Sequence, residues 1–166
     1  QAGADTSKSM LDLMLVVEST DAFHSHNIQT NPTHYSRLAR SLPSRLLSGL
    51  QNSGAGVYFN TGIRLPDGRL AKYGIVSLET FLSDLTHWDT LYLAGRLQKP
   101  IESVLGDLEG CGAGHAQRQN LIFALHAALL LLPDKFSQKE LLEAIVGISY
   151  QGTIISYGYI LDPMSR

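Results

Sequence analysis

The sequence is poor in cysteine and in excess charge of either sign, and each shortage argues against a class of protein. Its 166 residues include one cysteine, Cys111, so no internal disulfide can form and a secreted, disulfide-stapled fold is disfavoured. Lysine and arginine number 13 against 15 aspartate and glutamate, a net charge of −2 that argues against a generally basic surface for nucleic acid. We therefore expect no nucleic-acid partner, although a local basic site stays open.

Long apolar runs are also lacking. The longest, Leu121–Leu132, ends at Pro133 and is shorter than the about 20 residues that a membrane-spanning helix needs. It predicts either a buried core helix or a helix that rests on a lipid surface. No targeting peptide is visible, but the chain begins with Gln1 rather than Met, so this carries no weight.

What the sequence does contain is the composition of a globular domain and one segment rich in cations. Hydrophobic residues make up 44% and charged residues 17%, enough for a sizeable core. Within Gly54–Pro100, two apolar runs, Gly56–Leu65 and Arg69–Val76, flank a Pro-Asp-Gly turn and predict a β-hairpin, and Ser77 begins a helix. Four polar side chains of this segment could handle an anionic substrate: Asn60, Lys72, Arg96 and Lys99.

The first apolar run, Met10–Val17, predicts a central, buried strand that a carboxylate interrupts. Burying Asp12 costs several kcal/mol, on the order of other buried charges, unless a partner compensates it. Asp12 therefore either lies near the end of the strand and faces a metal or cation, or the strand is less buried than its apolar run indicates. A pairing of Asp12 with a structural Arg or Lys is the ordinary alternative to a functional role. Glu18 points to the same face, but six residues of ideal strand place it about 20 Å away.

A short helix and then a longer one are expected next. Ser19 or Thr20 can cap a helix that ends near Thr30, and its His24 and His26 point to different faces, which is not a zinc-binding pattern. Thr33 can cap a second helix that runs to about 50. Its first turn carries His34, Tyr35 and Ser36, either as anion ligands or as an ordinary capping segment.

The last third predicts helices. His115–Leu132 is one long helix, and the capping box of Ser137 and Glu140 begins another that reaches Gly147. After Tyr150 the sequence shows no clear final element. Lys72, inside the second hairpin strand, is either a guard on an edge strand or a phosphate ligand.

Several blocks of the sequence together resemble one family. They are MLDLMLVVES, FHSHN with NPTHYS, GAGVYFN, DGRLAKYGIVS, LYLAGRLQKP and LLPDKFSQKELLEAIVGISY, in order over about residues 1–150. The chain is thereby similar to the mitochondrial translocator-assembly-and-maintenance family of phosphatidate cytidylyltransferases. The resemblance implies an α+β fold, a nucleotidyltransferase-like mixed sheet with flanking helices over 1–105, followed by a helical segment, 106–166, that starts a C-terminal region.

The resemblance also implies an activity and a location. These enzymes convert CTP and phosphatidate to CDP-diacylglycerol and pyrophosphate with Mg²⁺, for cardiolipin synthesis, as peripheral proteins on the matrix side of the mitochondrial inner membrane. It implies Asp12 as a catalytic metal ligand, with Glu18 as a second candidate, and Lys72 as a catalytic phosphate ligand. The further substrate-binding residues it implies are His34, Tyr35, Ser36, Asn60, Arg96 and Lys99.

Two departures from the family pattern suggest a fragment. The family's Gly-Ser-Gly phosphate loop would lie before Gln1, and the family continues beyond Gly147–Tyr150, where this sequence loses the pattern. On this basis we expect either an enzyme fragment or an inactive remnant that acts by binding, as an assembly factor at the inner membrane. The oligomeric state is left open.

Overall fold

The computed structural model describes residues 10–104, 106 and 109–158, with side chains described up to residue 148. Its sheet contains β1 (Leu11–Val17), β2 (Tyr58–Arg64) and β3 (Leu70–Ser77). The strand order is β1-β3-β2, with β1 parallel to β3 and the β2–β3 hairpin antiparallel, as the Pro-Asp-Gly turn predicts. Among the described strands β1 therefore lies at an edge, and most of its side chains are only half-buried. The predicted central, buried position is wrong, and the strand is less buried than its apolar run indicates. Its apolar run reflects packing on its two faces, which says nothing about how many of its edges are paired.

The first helix begins where its cap predicts, whereas the predicted Thr33 cap is wrong, because Thr33 lies inside a 3₁₀ turn and begins no α-helix. Ser19 caps α1 (Thr20–Thr30), and its Oγ accepts from the backbone N–H of Ala22. The single helix predicted to run to about 50 is instead a 3₁₀ turn (Pro32–His34), α2 (Arg37–Ser41) and α3 (Ser44–Asn52), with Ser36 as the cap of α2. Pro43 explains the break between α2 and α3, because the residue before a proline is driven to the extended conformation.

A β-bulge in β2 decides which side chains reach the core. Asn60 pairs with Tyr73, but Ile63 pairs with Ala71, so β2 carries one extra residue there. Gly62 absorbs it at φ +70°, a conformation that glycine adopts without steric cost. The bulge returns Ile63 to the face that holds the core.

The two faces of the sheet carry different chemistry. On one face a core cluster of Ile63, Ala71, Tyr73 and Ile75 packs with alternate residues of β1. A second cluster, Tyr35, Ala39 and Leu47, joins it through Tyr58. Since side chains alternate along a strand, Asp12 and Lys72 belong to the opposite face.

The chain divides into two compact units, residues 1–80 and 81–166. Helix α4 (Leu78–His87) carries the boundary, and the second unit holds α5 (Tyr92–Arg96), α6 (Ala113–Leu131) and α7 (Gln138–Gly158). Ser137 and Glu140 form the predicted capping box, with the carboxylate accepting from the Ser137 N–H at 2.7 Å. Helix α7 continues to Gly158, beyond the predicted end at Gly147. The mixed sheet with flanking helices, followed by helices, confirms the predicted α+β class.

Helix α6 buries a narrow strip of small residues and exposes its leucines. Ala116, Asn120, Ala124 and Ala128 are almost fully buried, at the i, i+4 spacing of one helix face. Exposed apolar side chains are Leu121, Ile122, Leu125, Leu129, Leu130 and Leu131. A buried core helix is thus the wrong description for its leucines. Over the described residues, no helix has the length and apolarity to cross a bilayer.

Candidate functional site

Asp12 and Lys72 form an ion pair on the face of the sheet opposite the core. They are direct partners in the parallel β1–β3 register, and Lys72 Nζ lies 3.0 Å from Asp12 Oδ2. The Asp12 side chain is 45% exposed and that of Lys72 22%, so solvent or a ligand can reach both. A cation partner for Asp12, one of the sequence alternatives, is therefore present, and it is Lys72.

Two neighbours, Asp12 and the Phe59 ring, hold the ammonium group of Lys72 in position. Its Nζ lies 5.3 Å from the centre of the Phe59 ring, a cation–π contact. Because β3 is the central described strand, the edge-guard interpretation of Lys72 is wrong. Gly74, two residues on, leaves the room for Phe59 and Met14, since a Cβ there would lie 2.8 Å from Phe59 Cε1.

The three strands supply one carboxylate to this face, that of Asp12. Glu18 is exposed beyond the end of β1, and the register is regular from Leu11 to Val17, so Glu18 is not brought to Asp12. In the described part of the chain no three His, Cys, Asp or Glu side chains cluster as a metal site. A single carboxylate fits Mg²⁺, which commonly takes one or two carboxylates plus substrate phosphates and water. Asp12 is the residue that could serve.

His34, Tyr35 and Asn60 lie on the core side of the sheet, away from Asp12 and Lys72. His34 Nδ1 is 2.8 Å from the hydroxyl of Tyr73, whose strand neighbour in register is Asn60. Tyr35 is 4% and Asn60 2% exposed. Asn60 Nδ2 has no hydrogen-bond partner among the described residues. The structure thus brings these predicted residues together, but not beside the ion pair.

Ser36 is exposed, and its hydroxyl caps α2 by accepting from the Ala39 N–H at 3.1 Å. This is the capping alternative that the sequence left open for the segment. A role of Ser36 in substrate binding stays a prediction, since the hydroxyl already serves the helix end.

Buried polar residues that sequence reasoning missed connect His34 to the middle of the fold. His24 is fully buried between Gln51 Oε1 and the Tyr35 hydroxyl, each at 3.0 Å. Asn27 Nδ2 donates to the hydroxyls of Tyr35, at 3.0 Å, and Tyr73, at 2.8 Å. The i, i+3 spacing of His24 and Asn27 on α1 was a signal for a shared polar face.

Burial shifts the pKa of two residues of this network, His24 and Tyr35. Desolvation lowers the pKa of His24 below 6.5, against the raising effects of the Gln51 hydrogen bond and the Asp21 charge. Desolvation also raises the pKa of Tyr35 above 10.0, against the hydrogen bond from Asn27. Both groups are therefore neutral at physiological pH.

In the second unit, a buried carboxylate holds the segment that carries Arg96 and Lys99. Asp84, 2% exposed, accepts backbone N–H groups from Thr90, Leu91, Leu93 and Ala94 at 2.7 to 3.1 Å. This fixes the start of α5, with Leu91 at φ 58°. Arg96 lies 5.8 Å from the Tyr92 ring centre, and Lys99 is exposed.

Comparison with known proteins identifies the family. The family described as "Phosphatidate cytidylyltransferase, mitochondrial" matches residues 1–155. The Xenopus laevis protein of that name is 45% identical over 155 residues, 92% of this chain and 45% of the relative. The Schizosaccharomyces pombe protein is 40% identical over 156 residues, 93% of this chain and 38% of the relative. The chain spans less than half the length of these relatives. The resemblance seen in the sequence blocks is confirmed: the chain belongs to the mitochondrial phosphatidate cytidylyltransferase family.

Proposed function

We propose that this protein is a mitochondrial phosphatidate cytidylyltransferase, which joins CTP and phosphatidate to give CDP-diacylglycerol and pyrophosphate. The observation that carries this proposal is the family match over residues 1–155. The geometry supports it through Asp12 and Lys72, opposite charges on an accessible sheet face. In a reaction between two phosphate-bearing substrates, Lys72 can bind a phosphate oxygen and Asp12 can hold a divalent cation.

The reaction is an in-line attack by a phosphatidate phosphate oxygen on the α-phosphorus of CTP, with pyrophosphate leaving. Catalysis of such transfers rests on positioning and on charge stabilisation. Lys72 holds a phosphate oxygen, and Phe59 keeps its ammonium group in place. Asp12 is the residue that would hold Mg²⁺, which when bound screens the negative charge of the triphosphate. Before substrate arrives, the ion pair keeps Asp12 and Lys72 in position.

We further propose that the protein is attached peripherally to the matrix side of the mitochondrial inner membrane. There its product would serve cardiolipin synthesis. The exposed leucines of α6 support attachment, because burying an apolar side chain in lipid is favourable by about 1.5–3 kcal/mol. Within the second unit, we propose Arg96 and Lys99 as phosphate ligands, on the segment that Asp84 anchors.

The test is Mg²⁺-dependent formation of CDP-diacylglycerol from CTP and phosphatidate by the full-length protein. Asp12→Ala should abolish the product, whereas the matched control Asp67→Ala, an exposed hairpin carboxylate paired with Arg69, should not. Full activity of Asp12→Ala would refute its role as a metal ligand. An inactive wild-type protein that still binds its membrane would favour the binding or assembly role instead.

A further inference from the structure

A continuous chain of hydrogen bonds runs from the backbone of β3 to His34, within residues 1–80. The Gln51 amide nitrogen donates to the carbonyl oxygens of Gly56, at 2.6 Å, and Ile75, at 3.0 Å. These two acceptors fix the orientation of the amide, because the reverse orientation would set its oxygen against two carbonyl oxygens. Gln51 Oε1 therefore faces His24 as an acceptor.

This first link determines the protonation of His24. Its Nε2 must carry the proton that Gln51 Oε1 accepts. A neutral, fully buried imidazole then has a bare Nδ1, which accepts the proton of the Tyr35 hydroxyl at 3.0 Å. The Tyr35 oxygen is left needing a donor.

Asn27 supplies that donor, and its orientation also determines the direction of the hydrogen bond to Tyr73. Its amide nitrogen has two protons, one for the oxygen of Tyr35 and one for that of Tyr73. Its Oδ1 accepts from Asn31 Nδ2 at 2.9 Å, which agrees with this orientation. Both amide protons are then used, and the Tyr73 hydroxyl keeps its own proton to donate.

The remaining acceptor for Tyr73 is His34 Nδ1, at 2.8 Å. If Nδ1 carried a proton instead, the buried Tyr73 hydroxyl would lose its acceptor, at a cost of about 1–3 kcal/mol. His34 Nε2 makes no hydrogen bond within the described part of the chain, and it is not closed off from solvent. We infer that this buried chain sets the tautomer of His34, so that Nε2–H points out of the network as a donor for an oxygen of a phosphate-bearing ligand.

In this arrangement Tyr73, Asn27, His24 and Gln51 are positioning residues that act through His34. The ligand chemistry is a phosphate oxygen of CTP or phosphatidate that Asp12 and Lys72, on the opposite face of the sheet, do not hold, and this part rests on the proposed function. The tautomer itself does not, because it can be measured on the protein without substrate.

The experiment is nitrogen NMR of the ring of His34 in ¹⁵N-histidine-labelled protein near neutral pH, with His34→Gln to assign its signals. Wild type should show a pyridine-type Nδ1 and a pyrrole-type Nε2. Tyr73→Phe removes the donor and should move both signals toward a tautomer average. Tyr58→Phe is the matched control, since the Tyr58 hydroxyl, on the same face, has no described hydrogen bond, and it should leave the His34 signals in place. A wild-type Nδ1–H tautomer, or unchanged signals in Tyr73→Phe, would overturn the inference.

A kinetic cycle tests the ligand. Tyr73→Phe should weaken the apparent affinity for one substrate several-fold in the wild-type background and have no additional effect in His34→Ala. His34→Gln, whose amide nitrogen can replace Nε2–H, should recover part of the affinity that His34→Ala loses. The substrate whose KM changes identifies the phosphate, CTP or phosphatidate. Additive effects of the two substitutions would overturn the link between Tyr73 and substrate. An inactive wild-type protein would refute the proposed function and with it the phosphate role of His34, whereas the NMR result on the tautomer would still hold.

Discussion

Lys72 Nζ lies 3.0 Å from Asp12 Oδ2 across the parallel pair β1–β3, with Phe59 beneath the ammonium group. Both side chains are partly exposed, and ion pairs of this kind contribute about 0–1 kcal/mol to stability. A partly exposed ion pair on a sheet face that contributes so little to folding is better explained by its use in binding.

Lys72→Met should therefore change substrate binding while leaving the stability of the fold nearly unchanged. We expect the free energy of unfolding to change by less than about 1 kcal/mol. The apparent KM for CTP or phosphatidate should rise about tenfold or more, because a charge-assisted hydrogen bond to phosphate is worth roughly 1.5–3 kcal/mol. Arg69→Met, which removes an exposed hairpin cation paired with Asp67, is the control and should leave the KM unchanged. Unaltered kinetics in Lys72→Met would remove Lys72 from the site.

Gly74→Ala tests the packing that supports Lys72. The new Cβ would lie 2.8 Å from Phe59 Cε1 and 3.0 Å from Met14 Sδ, so Phe59 must move. Overpacking of this kind costs about 1–3 kcal/mol, which urea unfolding would measure. Gly49→Ala is the matched control, because no atom lies within 4 Å of a Cβ there, and alanine favours its helix α3. Equal stability of the two variants would show that the face beside Lys72 is loosely packed.

The buried His24 predicts a loss of stability in acid. Its pKa is lowered in the folded state, so between the unfolded value near 6.5 and the lower folded value the unfolded chain binds the additional proton. The free energy of unfolding should therefore fall as the pH falls through 6.5, by up to about 1.4 kcal/mol per pH unit, and level off below the folded pKa.

The control for this titration is on the same helix. His24→Phe should remove this part of the pH dependence, although it also lowers stability at every pH. His26→Asn, at an exposed position two residues away, should retain the wild-type slope. The same slope in His24→Phe and wild type would assign the acid sensitivity to other groups.

Asp84→Asn should destabilise the second unit. The carboxylate accepts backbone N–H groups at the start of α5, and an amide would turn an NH₂ group against some of these donors. Losing charge-assisted bonds at a buried site should cost about 3 kcal/mol, read from thermal or urea unfolding. Asp89→Asn changes an exposed carboxylate in the same segment and should cost under about 0.5 kcal/mol. A mild effect at Asp84 would mean that the Trp88–Arg96 segment is held by its apolar contacts.

The α6 leucines predict binding to lipid. Leu130, 88% exposed, and Leu131, 66% exposed, should contact phosphatidate-containing vesicles. Leu130→Asp should reduce the bound fraction in a flotation assay about tenfold or more, given the 1.5–3 kcal/mol of a buried leucine. Leu38→Asp, at a position 73% exposed in the first unit, should bind as wild type does. Unchanged flotation of Leu130→Asp would place the membrane contact elsewhere.

The sequence by itself determined the β-hairpin, several helix starts and the family. Capping residues such as Ser19 and Ser137 mark helix starts through a local hydrogen bond, and the Pro-Asp-Gly turn is equally local, so short patterns suffice for them. Long blocks such as DGRLAKYGIVS carried the resemblance that the comparisons confirm. The break at Pro43 was readable in principle, because proline acts on the residue before it.

Only the tertiary structure determined which residues are neighbours in space. The order β1-β3-β2 places Lys72 on the central described strand next to Asp12, and a bulge returns Ile63 to the core. The chain from Gln51 to His34 joins residues of α1, α3, β3 and the 3₁₀ turn, so no local pattern contains it. Hydrogen-bond partners far apart in sequence depend on strand pairing and helix packing, and these are properties of the folded chain.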